Sequence, residues 1–284
     1  MKVFVTGSSG QLGHDVCREL ARRGIPYCGT SSRELNITDR EAVRRAICAY
    51  QANAVIHCAA YTNVEQAEKY PEQCWAVNVC GTQNVAEACR EISAKLLYIS
   101  TDYVFSGEGS RFYAPDAPAC PINVYGRSKL EGELVVKELL HRWFVVRTSW
   151  AFGTNGSNFV KSILRLSRSR EELQVVCDQI GSPTYTVDLA SLLCTMVGTD
   201  CYGTYHAVNA GVCSRAEFAR EIIRQAGCPV RVRETTSARY GGKVRRPLNS
   251  RMSTASLEAA GFFKLPPWQD ALTRYMKEEG LISE

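Results

Sequence analysis

The chain has 284 residues, and 45% of them are hydrophobic, which is enough for one α/β domain with an appended lobe. It contains no run of about 18 uninterrupted apolar residues, so we expect no membrane span. Met1 and Lys2 lead directly into a β-rich run, so we also expect no signal peptide. The formal net charge of +5 comes without a basic stripe interleaved with aromatic side chains, which argues against nucleic acid as a partner.

The 13 cysteines are scattered singly, with no Cys-x-x-Cys pair and no neighbouring histidine cluster. Their odd number and the missing framework argue against both disulfides and zinc. Several, such as Cys58 and Cys89, stand in apolar runs, where a free cysteine behaves as a small hydrophobic side chain. We therefore expect a protein of the reducing cytoplasm.

The first predicted elements are a strand over residues 2–6, a glycine turn and a helix. Leu12 and Val16 continue at helical spacing after the turn, whose glycines follow the pattern Gly-x-x-Gly-x-x-Gly. This order is typical of a dinucleotide-binding turn, in which the backbone approaches a pyrophosphate and the helix N-terminus faces the anion. A bare glycine-rich turn is the alternative. The cofactor contacts predicted here are Gly7, Gly10, Gln11 and Leu12.

Apolar strands then alternate with helical stretches through the first half of the chain. Strands are predicted at residues 27–30, 54–58, 96–100 and 144–147, and helices at 40–50 and 75–91. This alternation is typical of a parallel sheet covered by helices on both faces. The fold class predicted is α/β, a Rossmann-type doubly wound parallel sheet.

The alternation of strands and helices becomes less regular beyond Thr148. Helices are predicted at residues 159–167, 187–197, 215–225 and 268–279, with β-like pieces at 173–176, 205–208 and 230–233. We predict that residues 1–148 form the dinucleotide-binding domain. Residues 149–284 are then mainly a smaller α/β substrate-binding lobe, with some segments returning to the Rossmann sheet.

The residues after the second predicted strand bear on the cofactor. Enzymes that use NAD usually carry an acid there for the ribose 2′-hydroxyl, but this chain has Thr30, Ser31, Ser32 and Arg33 before any acid. Two serine hydroxyls and a guanidinium suit a 2′-phosphate. We predict NADPH, with Arg33 as a contact, and leave NADH open. A solvent-exposed arginine is the alternative reading of Arg33.

Further polar and small residues follow the third and fourth predicted strands. In open α/β sheets ligands bind at the carboxyl ends of the strands, so these segments converge on the glycine turn. Ala59 and Ala60 offer backbone contacts with little bulk, and Thr62 follows them. Thr101, after the fourth strand, can donate its hydroxyl to a carbonyl oxygen. We predict a single crevice at this edge of the sheet.

Tyr125 and Lys129 stand four residues apart and so lie on one helical face. An ammonium beside a phenol favours the phenolate and lowers its pKa from about 10. Such a phenol can protonate the alkoxide formed when a carbonyl is reduced. The spacing is common by chance, and an exposed helix face is the alternative. The order of the other segments favours a hydride-transfer site.

These motifs resemble those of extended short-chain dehydrogenases/reductases, and more narrowly the dTDP-4-dehydrorhamnose reductase family. The similarity covers nearly the whole chain. The block at residues 100–105 and the segments at 147–150 and 246–250 are more specific than the tyrosine–lysine pair. The matching segments are residues 10–13, 59–65, 100–105, 123–126, 147–150, 178–184 and 246–250.

The resemblance implies reduction of the C4 ketone of dTDP-4-dehydro-6-deoxy-L-mannose to dTDP-L-rhamnose, a precursor of cell-surface polysaccharide. Tyr125 would protonate the C4 alkoxide, and Lys129 would lower its pKa and bind the nicotinamide-ribose hydroxyls. Thr101 would polarise the ketone. A core position is the alternative for Trp150, and Asn78 is expected to be structural. The residues expected to contact the substrate are Asp102, Tyr103, Trp150 and, from the basic cluster near the C-terminus, Arg246.

Some members of the resembled family bind magnesium at a dimer interface. Asp15 matches one ligand, but no others can be placed, so we predict no metal. We expect a nucleotide-sugar substrate and a monomer or homodimer. Two alternatives remain open: another nucleotide-sugar enzyme of the superfamily (an epimerase, a dehydratase or another 4-ketosugar reductase), and a non-catalytic regulatory subunit. The intact Thr101, Tyr125 and Lys129 argue against the regulatory subunit.

Overall fold

The computed structural model describes residues 1–282. Its strands are β1 (Val3–Thr6), β2 (Tyr27–Thr30), β3 (Ala54–His57), β4 (Lys95–Thr101), β5 (Trp143–Thr148), β6 (Ala151–Phe152), β7 (Glu172–Val176), β8 (Ile180–Gly181), β9 (Thr184–Tyr185), β10 (Gly203–His206), β11 (Cys213–Ser214), β12 (Arg231–Thr235) and β13 (Asn249–Ser250). Its helices are α1 (Gln11–Arg22), α2 (Arg40–Tyr50), α3 (Val64–Lys69), α4 (Pro71–Trp75), α5 (Thr82–Glu91), α6 (Val124–Leu139), α7 (Phe159–Ser167), α8 (Thr186–Met196), α9 (Arg215–Gln225), α10 (Ser237–Tyr240), α11 (Ala255–Ala259) and α12 (Trp268–Glu278).

Two short helical segments of other types complete the chain. A π-helical segment, Ala76–Gly81, joins α4 to α5 without a break, and a 3₁₀ turn, Asp102–Val104, directly follows β4. No helix among residues 1–282 combines the length and the apolar character that crossing a bilayer would require.

Six strands form the central sheet in the order β2-β1-β3-β4-β5-β10, and every neighbouring pair is parallel. The chain moves from β1 outward to β2 and then returns to the other side of β1 to form β3. The connections therefore diverge between β1 and β3, which opens a crevice at the carboxyl ends of those strands. The predicted doubly wound parallel sheet is confirmed.

Buried apolar side chains cover both faces of this sheet. On one face Leu20 of α1 and Leu189 of α8 pack against strand residues such as Val5. On the other face Ile47 of α2 and Val85 of α5 pack against residues such as Phe4. Because both faces are covered, the central strands read as continuous apolar runs, which is why the sequence predicts them well.

The second half of the chain forms its own apolar cluster from α7, α9 and α12. Phe218, Trp268 and Tyr275 are buried there, and Phe218 stands edge-on to Trp268 with ring centroids 5.6 Å apart. Two segments of this half also join the first: β10 extends the sheet beside β5, and α8 packs on α1. The division between residues 148 and 149 stays a prediction.

The predicted elements lie where the sequence indicated, with bounds within a few residues. One prediction was wrong in detail: the helix expected over residues 75–91 begins at Pro71 and contains the π-helical segment. Proline at the first helical position is favoured because its missing N–H has no partner there, so it marks this start. The two-residue strands β6, β8, β9, β11 and β13 were not predicted, since they are too short to show a period.

Candidate active site

The glycine turn closes against the loop that follows β3. Gly7 has a φ of +70°, and a Cβ there would lie 2.7 Å from the amide nitrogen of Ala59. A Cβ on Gly13 would lie 2.1 Å from the Gly7 carbonyl oxygen. Helix α1 begins directly after Gly10 with no side-chain cap, so its first amide groups remain available to an anion. At Gly7 and Gly13 backbone therefore packs directly on backbone, which leaves no room for a side chain.

The loop over residues 59–62 is fixed from behind by Asn78. The Asn78 side chain accepts from the Tyr61 amide at 2.8 Å and donates to the Tyr61 carbonyl at 3.1 Å. It also donates to the Ser128 hydroxyl at 2.9 Å. Asn78 is buried within the π-helical segment, and such segments are frequent at functional sites. Ala59 and Ala60 are thereby held at the crevice, while Thr62 lies exposed at its rim.

The second half of the chain reaches over the glycine turn through two asparagines. Asn155 donates to the Ser9 carbonyl at 2.7 Å, and Asn158 donates to the Gln11 side-chain oxygen at 3.2 Å. Sequence reasoning missed both residues. Asn158 carried a readable signal, because it is the N-cap of α7, but nothing in the sequence indicates that its loop contacts residue 11.

At the end of β2 one of the predicted 2′-phosphate donors, Ser31, already has a partner. The Ser31 amide and hydroxyl both donate to the Glu34 carboxylate, at 2.8 Å and 2.7 Å. These hydrogen bonds lower the pKa of Glu34, which keeps the carboxylate ionised. Arg33 is exposed. A phosphate that used the Ser31 donors would therefore have to displace Glu34.

Thr101 and Asp102, at the end of β4, form one hydrogen-bonded unit. Thr101 donates to Asp102 Oδ1 at 3.0 Å and accepts from the Tyr103 amide at 3.2 Å. The Ser250 hydroxyl donates to Asp102 Oδ2. Burial raises the pKa of Asp102, although both hydroxyls act in the opposite direction. Ser250 belongs to the segment 246–250, so two distant parts of the sequence meet at this carboxyl group.

Tyr125 lies beside Tyr103 at the crevice, with ring centroids 5.5 Å apart and the rings nearly perpendicular. Arg246 donates to the Tyr103 hydroxyl at 3.2 Å. Desolvation raises the pKa of Tyr125, and the Thr101 hydroxyl opposes this rise. The expectation of a lowered pKa for Tyr125 was therefore wrong for the protein without ligands, because removal of the phenol from water outweighs every stabilising contact.

Lys129 is buried and stands over a different aromatic ring. Its ammonium nitrogen lies 3.9 Å from the centroid of the Tyr98 ring. Burial lowers the pKa of Lys129 from 10.5 to about 7, and the negative charge of Glu133 opposes that change. Tyr125 and Lys129 share α6 as predicted, but the lysine points towards β4. The ammonium contacts the Tyr98 ring, and its expected pairing with the Tyr125 phenol stays a prediction.

Trp150 is held as a rigid aromatic surface. Its φ of +50° is rare for a bulky residue and marks a constrained position. A Cβ on Gly181 would lie 2.9 Å from the indole ring, so only glycine fits beneath it. The guanidinium carbon of Arg215 lies 3.7 Å from the ring centroid. Sequence reasoning missed Arg215, whose position at the start of α9 carries no distinguishing signal.

Arg215 brings a second guanidinium to the substrate side of the crevice. Burial lowers the pKa of Arg215 to about 10, whereas Tyr103 and Asp102 raise it and Arg246 lowers it. Within residues 1–282, no carboxylate forms a salt bridge with Arg215, and the Arg246 contact with Glu65 is long, at 3.7 Å. Two incompletely neutralised cations therefore lie near Asp102, Tyr103 and Trp150, which suits a polyanionic ligand.

Asp15, the candidate metal ligand, lies elsewhere and is engaged by protein groups. It accepts from the Thr186 hydroxyl, and Arg18 lies 3.5 Å from its other oxygen. Within the described residues no group of at least three His, Cys, Asp or Glu side chains is arranged to hold a metal ion.

Together the parallel sheet, the glycine cradle and the Thr101–Tyr125–Lys129 set define a dinucleotide-binding protein of the short-chain dehydrogenase/reductase type. Residues 1–280 match the sequence model described as RmlD substrate binding domain. The chain belongs to this family.

Three known proteins illustrate the relationship. The chain is 41% identical to the dTDP-4-dehydrorhamnose reductase of Streptomyces griseus, over 95% of this chain and 91% of that one. It is 37% identical to the dTDP-4-keto-6-deoxy-D-glucose reductase of Streptomyces niveus, over 95% of both. The crystal structure of dTDP-4-dehydrorhamnose reductase from Bacillus anthracis str. Ames in complex with NADP superposes with a TM-score of 0.95 at 42% identity, covering 98% of this chain and 99% of that one.

Proposed function

We propose that the protein transfers a hydride from NADPH to the C4 ketone of dTDP-4-dehydro-6-deoxy-L-mannose and so forms dTDP-L-rhamnose. One observation carries this proposal: a desolvated phenol, Tyr125, and the Thr101–Asp102 unit face one crevice with the backbone cradle for a dinucleotide. The family relationship supports the identity of the cofactor and of the sugar nucleotide. Residues 1–148 would supply the cofactor site, and residues 149–284 would supply most of the substrate lobe.

The chain's own residues fit NADPH. When bound, this cofactor supplies the hydride. The turn at Gly7 and Gly10 and the first turn of α1, including Gln11 and Leu12, would accommodate its pyrophosphate, since no side chain caps the N-terminus of α1. Ala59, Ala60 and Thr62 would line the opposite wall. Ser31 and Arg33 would hold the 2′-phosphate after Glu34 moves, and Lys129 would bind the nicotinamide-ribose hydroxyls.

Tyr125 would act as the proton donor. Its raised pKa keeps the phenol protonated at neutral pH, so a proton is available when the hydride arrives at C4. The C4 oxygen becomes an alkoxide as the hydride adds, and it takes the phenolic proton. The Thr101 hydroxyl donates to Asp102 Oδ1 in this structure, and it would polarise the ketone by turning its single proton from Asp102 to the C4 oxygen.

The sugar nucleotide would be recognised by groups already fixed in place. Trp150 is fixed by Gly181 and Arg215, and it would contact the sugar through the part of the indole ring that these two residues leave uncovered. Asp102 offers an acceptor for a sugar hydroxyl. Arg246 and Arg215 would neutralise the diphosphate, which relieves the mutual repulsion of the two guanidinium groups.

A second substrate is favoured by the relative from Streptomyces niveus, whose name specifies dTDP-4-keto-6-deoxy-D-glucose. This compound carries the same ketone on a ring of different configuration. Hydride and proton transfer would use the same side chains. The two candidates differ only in how the ring hydroxyls meet Asp102 and Trp150. The proposal also includes action in the cytoplasm, which the 13 free cysteines support, and a monomeric or homodimeric state.

The test is NADPH oxidation followed at the absorbance of the reduced cofactor, with each of the two 4-ketosugar nucleotides in turn. We expect the rhamnose precursor to be preferred and Tyr125→Phe to lose about 10²- to 10⁴-fold in kcat. Tyr240→Phe, an exposed tyrosine far along the chain, is the matched control. Equal rates for Tyr125→Phe and wild type would refute the assignment of the proton donor.

A further inference from the structure

A chain of hydrogen bonds runs through the buried interior beneath the cofactor crevice, with His57 at its centre. The Ala59 amide donates to the Thr6 hydroxyl at 3.2 Å, and this hydroxyl lies 2.6 Å from His57 Nδ1. On the other side, His57 Nε2 lies 3.1 Å from the Thr82 hydroxyl, which donates to the Asn78 carbonyl at 2.7 Å. Thr6, His57, Thr82 and Asn78 are each at most 1% exposed.

The hydrogen count along this chain defines one tautomer of His57. The Thr82 hydroxyl donates its only proton to the Asn78 carbonyl, so it can only accept a hydrogen bond from His57 Nε2. Nε2 must therefore carry a hydrogen, and Nδ1 of the neutral ring accepts from Thr6. The opposite tautomer would set the lone pair of Nε2 against the Thr82 oxygen and leave the Thr6 proton without an acceptor. In the buried interior such a mismatch is costly, because the unpaired polar groups have no water to bond to.

The surroundings of His57 keep the ring neutral. Burial and the nearby Lys129 lower the pKa of His57 to about 3. The Tyr98 ring lies 5.8 Å away, and no carboxylate contributes to the pKa of His57. Since His57 does not ionise near neutral pH, the direction of its hydrogen bonds is constant across the range in which an enzyme of this kind works.

Both ends of this series of hydrogen bonds connect to the candidate active site. At one end, Ala59 lies directly against Gly7 across the crevice. At the other end, Asn78 clamps the Tyr61 backbone and donates to Ser128, whose hydroxyl donates to the Tyr125 carbonyl at 2.8 Å. The series of hydrogen bonds thus joins the cofactor cradle to α6, the helix that carries Tyr125.

We propose that His57 is a positioning residue, a neutral imidazole with its hydrogen on Nε2 that sets the Ala59 amide through Thr6 and the π-helical segment through Thr82. The consequence for cofactor binding rests on the proposed NADPH site. The two hydrogen bonds of the ring can be removed separately by mutation. Nδ1 bonds towards the cofactor side, and Nε2 bonds towards Asn78 and Tyr125.

The tautomer is tested directly in the wild-type protein by ¹⁵N NMR of the histidine rings, with the His57 signals assigned from their loss in His57→Gln. We expect a protonated Nε2 and an unprotonated Nδ1, unchanged between about pH 5 and pH 8. A hydrogen on Nδ1, or ionisation within that range, would overturn the proposal. This measurement needs no variant to be active and no cofactor.

The positioning role is tested by two substitutions that each retain one half of the imidazole. His57→Asn keeps an acceptor near Nδ1, and His57→Gln keeps a donor near Nε2. We expect His57→Asn to retain the wild-type Kd for NADPH within about twofold but to lose kcat. His57→Gln should weaken NADPH binding about five- to tenfold and lose less kcat. Kd is measured by titration calorimetry.

Thr6 supplies an independent pair of variants. Thr6→Val removes the hydroxyl at constant shape and should weaken NADPH binding as His57→Gln does, whereas Thr6→Ser should resemble wild type. The double variant of Thr6→Val and His57→Gln should bind no worse than either single variant, since both break the same link. Equal effects of His57→Asn and His57→Gln on Kd would show that the ring merely fills space. If the wild type does not bind NADPH, the proposed function fails, and with it the role assigned to the Ala59 side, while the tautomer measurement still stands.

Discussion

Lys129 of α6 allows a quantitative test of how much the burial of its ammonium group destabilises the folded protein. The lysine is 3% exposed, and burial lowers its pKa from 10.5 to about 7. Replacing it by methionine keeps most of the length of the side chain and removes the titrating group. Since a difference of one pKa unit corresponds to about 1.4 kcal/mol, the buried lysine costs the folded state roughly 4 kcal/mol at neutral pH.

The sign of the pH dependence follows from proton counting. Between the folded pKa near 7 and the unfolded value of 10.5, the unfolded chain binds the proton and the folded chain does not. The stability of wild type therefore rises with pH in this window, relative to Lys129→Met. We expect the free energy of unfolding of the variant to exceed that of wild type by several kcal/mol near pH 7, and the gap to narrow by about 2 kcal/mol by pH 9.

Urea unfolding of both proteins at a series of pH values measures this gap. The change in the gap with pH is diagnostic, because a repacking effect of methionine is constant with pH. Lys243→Met, at an exposed position, is the matched control and should give a gap that does not vary. If the free energies of unfolding of wild type and Lys129→Met changed in parallel with pH, the account of Lys129 as a desolvated ammonium would be refuted.

Three further predictions concern ligand binding. Gly181→Ala places a Cβ 2.9 Å from the Trp150 ring and should raise KM for the sugar nucleotide about tenfold while leaving the Kd for NADPH unchanged; a parallel loss of both would contradict the platform role. Arg215→Met should likewise raise KM about tenfold or more. Arg215→Lys should not return KM to the wild-type value, because a lysine lacks the planar group that stacks on indole. Glu34→Gln should tighten binding of NADPH several-fold, but not of NADH, in titration calorimetry, since it removes a carboxylate from the Ser31 donors; equal changes for both cofactors would exclude competition with a 2′-phosphate.

Much of the fold could be predicted from the sequence, because its main elements carry strong local signals. Strands β1, β3, β4 and β5 are buried on both faces, so they appear as apolar runs between helices. The glycine turn identified the cofactor side for the same reason, since Gly7 and Gly13 each meet backbone at distances that exclude a side chain. The topology then placed Thr101 and Tyr125 at the same edge.

The rest depends on contacts between residues far apart in the chain. Ser250 bonds to Asp102 across 148 positions, and Arg215 contacts Trp150 from the start of α9. No local pattern encodes either contact. The direction of the pKa shift of Tyr125 was also inaccessible, because it depends on the desolvation of the phenol in the folded protein.

The central claim is tested most directly by mixing the purified protein with NADPH and dTDP-4-dehydro-6-deoxy-L-mannose and following both cofactor absorbance and product. We predict that NADPH is consumed in equal amount to the dTDP-L-rhamnose formed, and that Tyr125→Phe binds both ligands but turns over at least about 10²-fold more slowly. Binding of both ligands by wild type without consumption of NADPH would contradict the account.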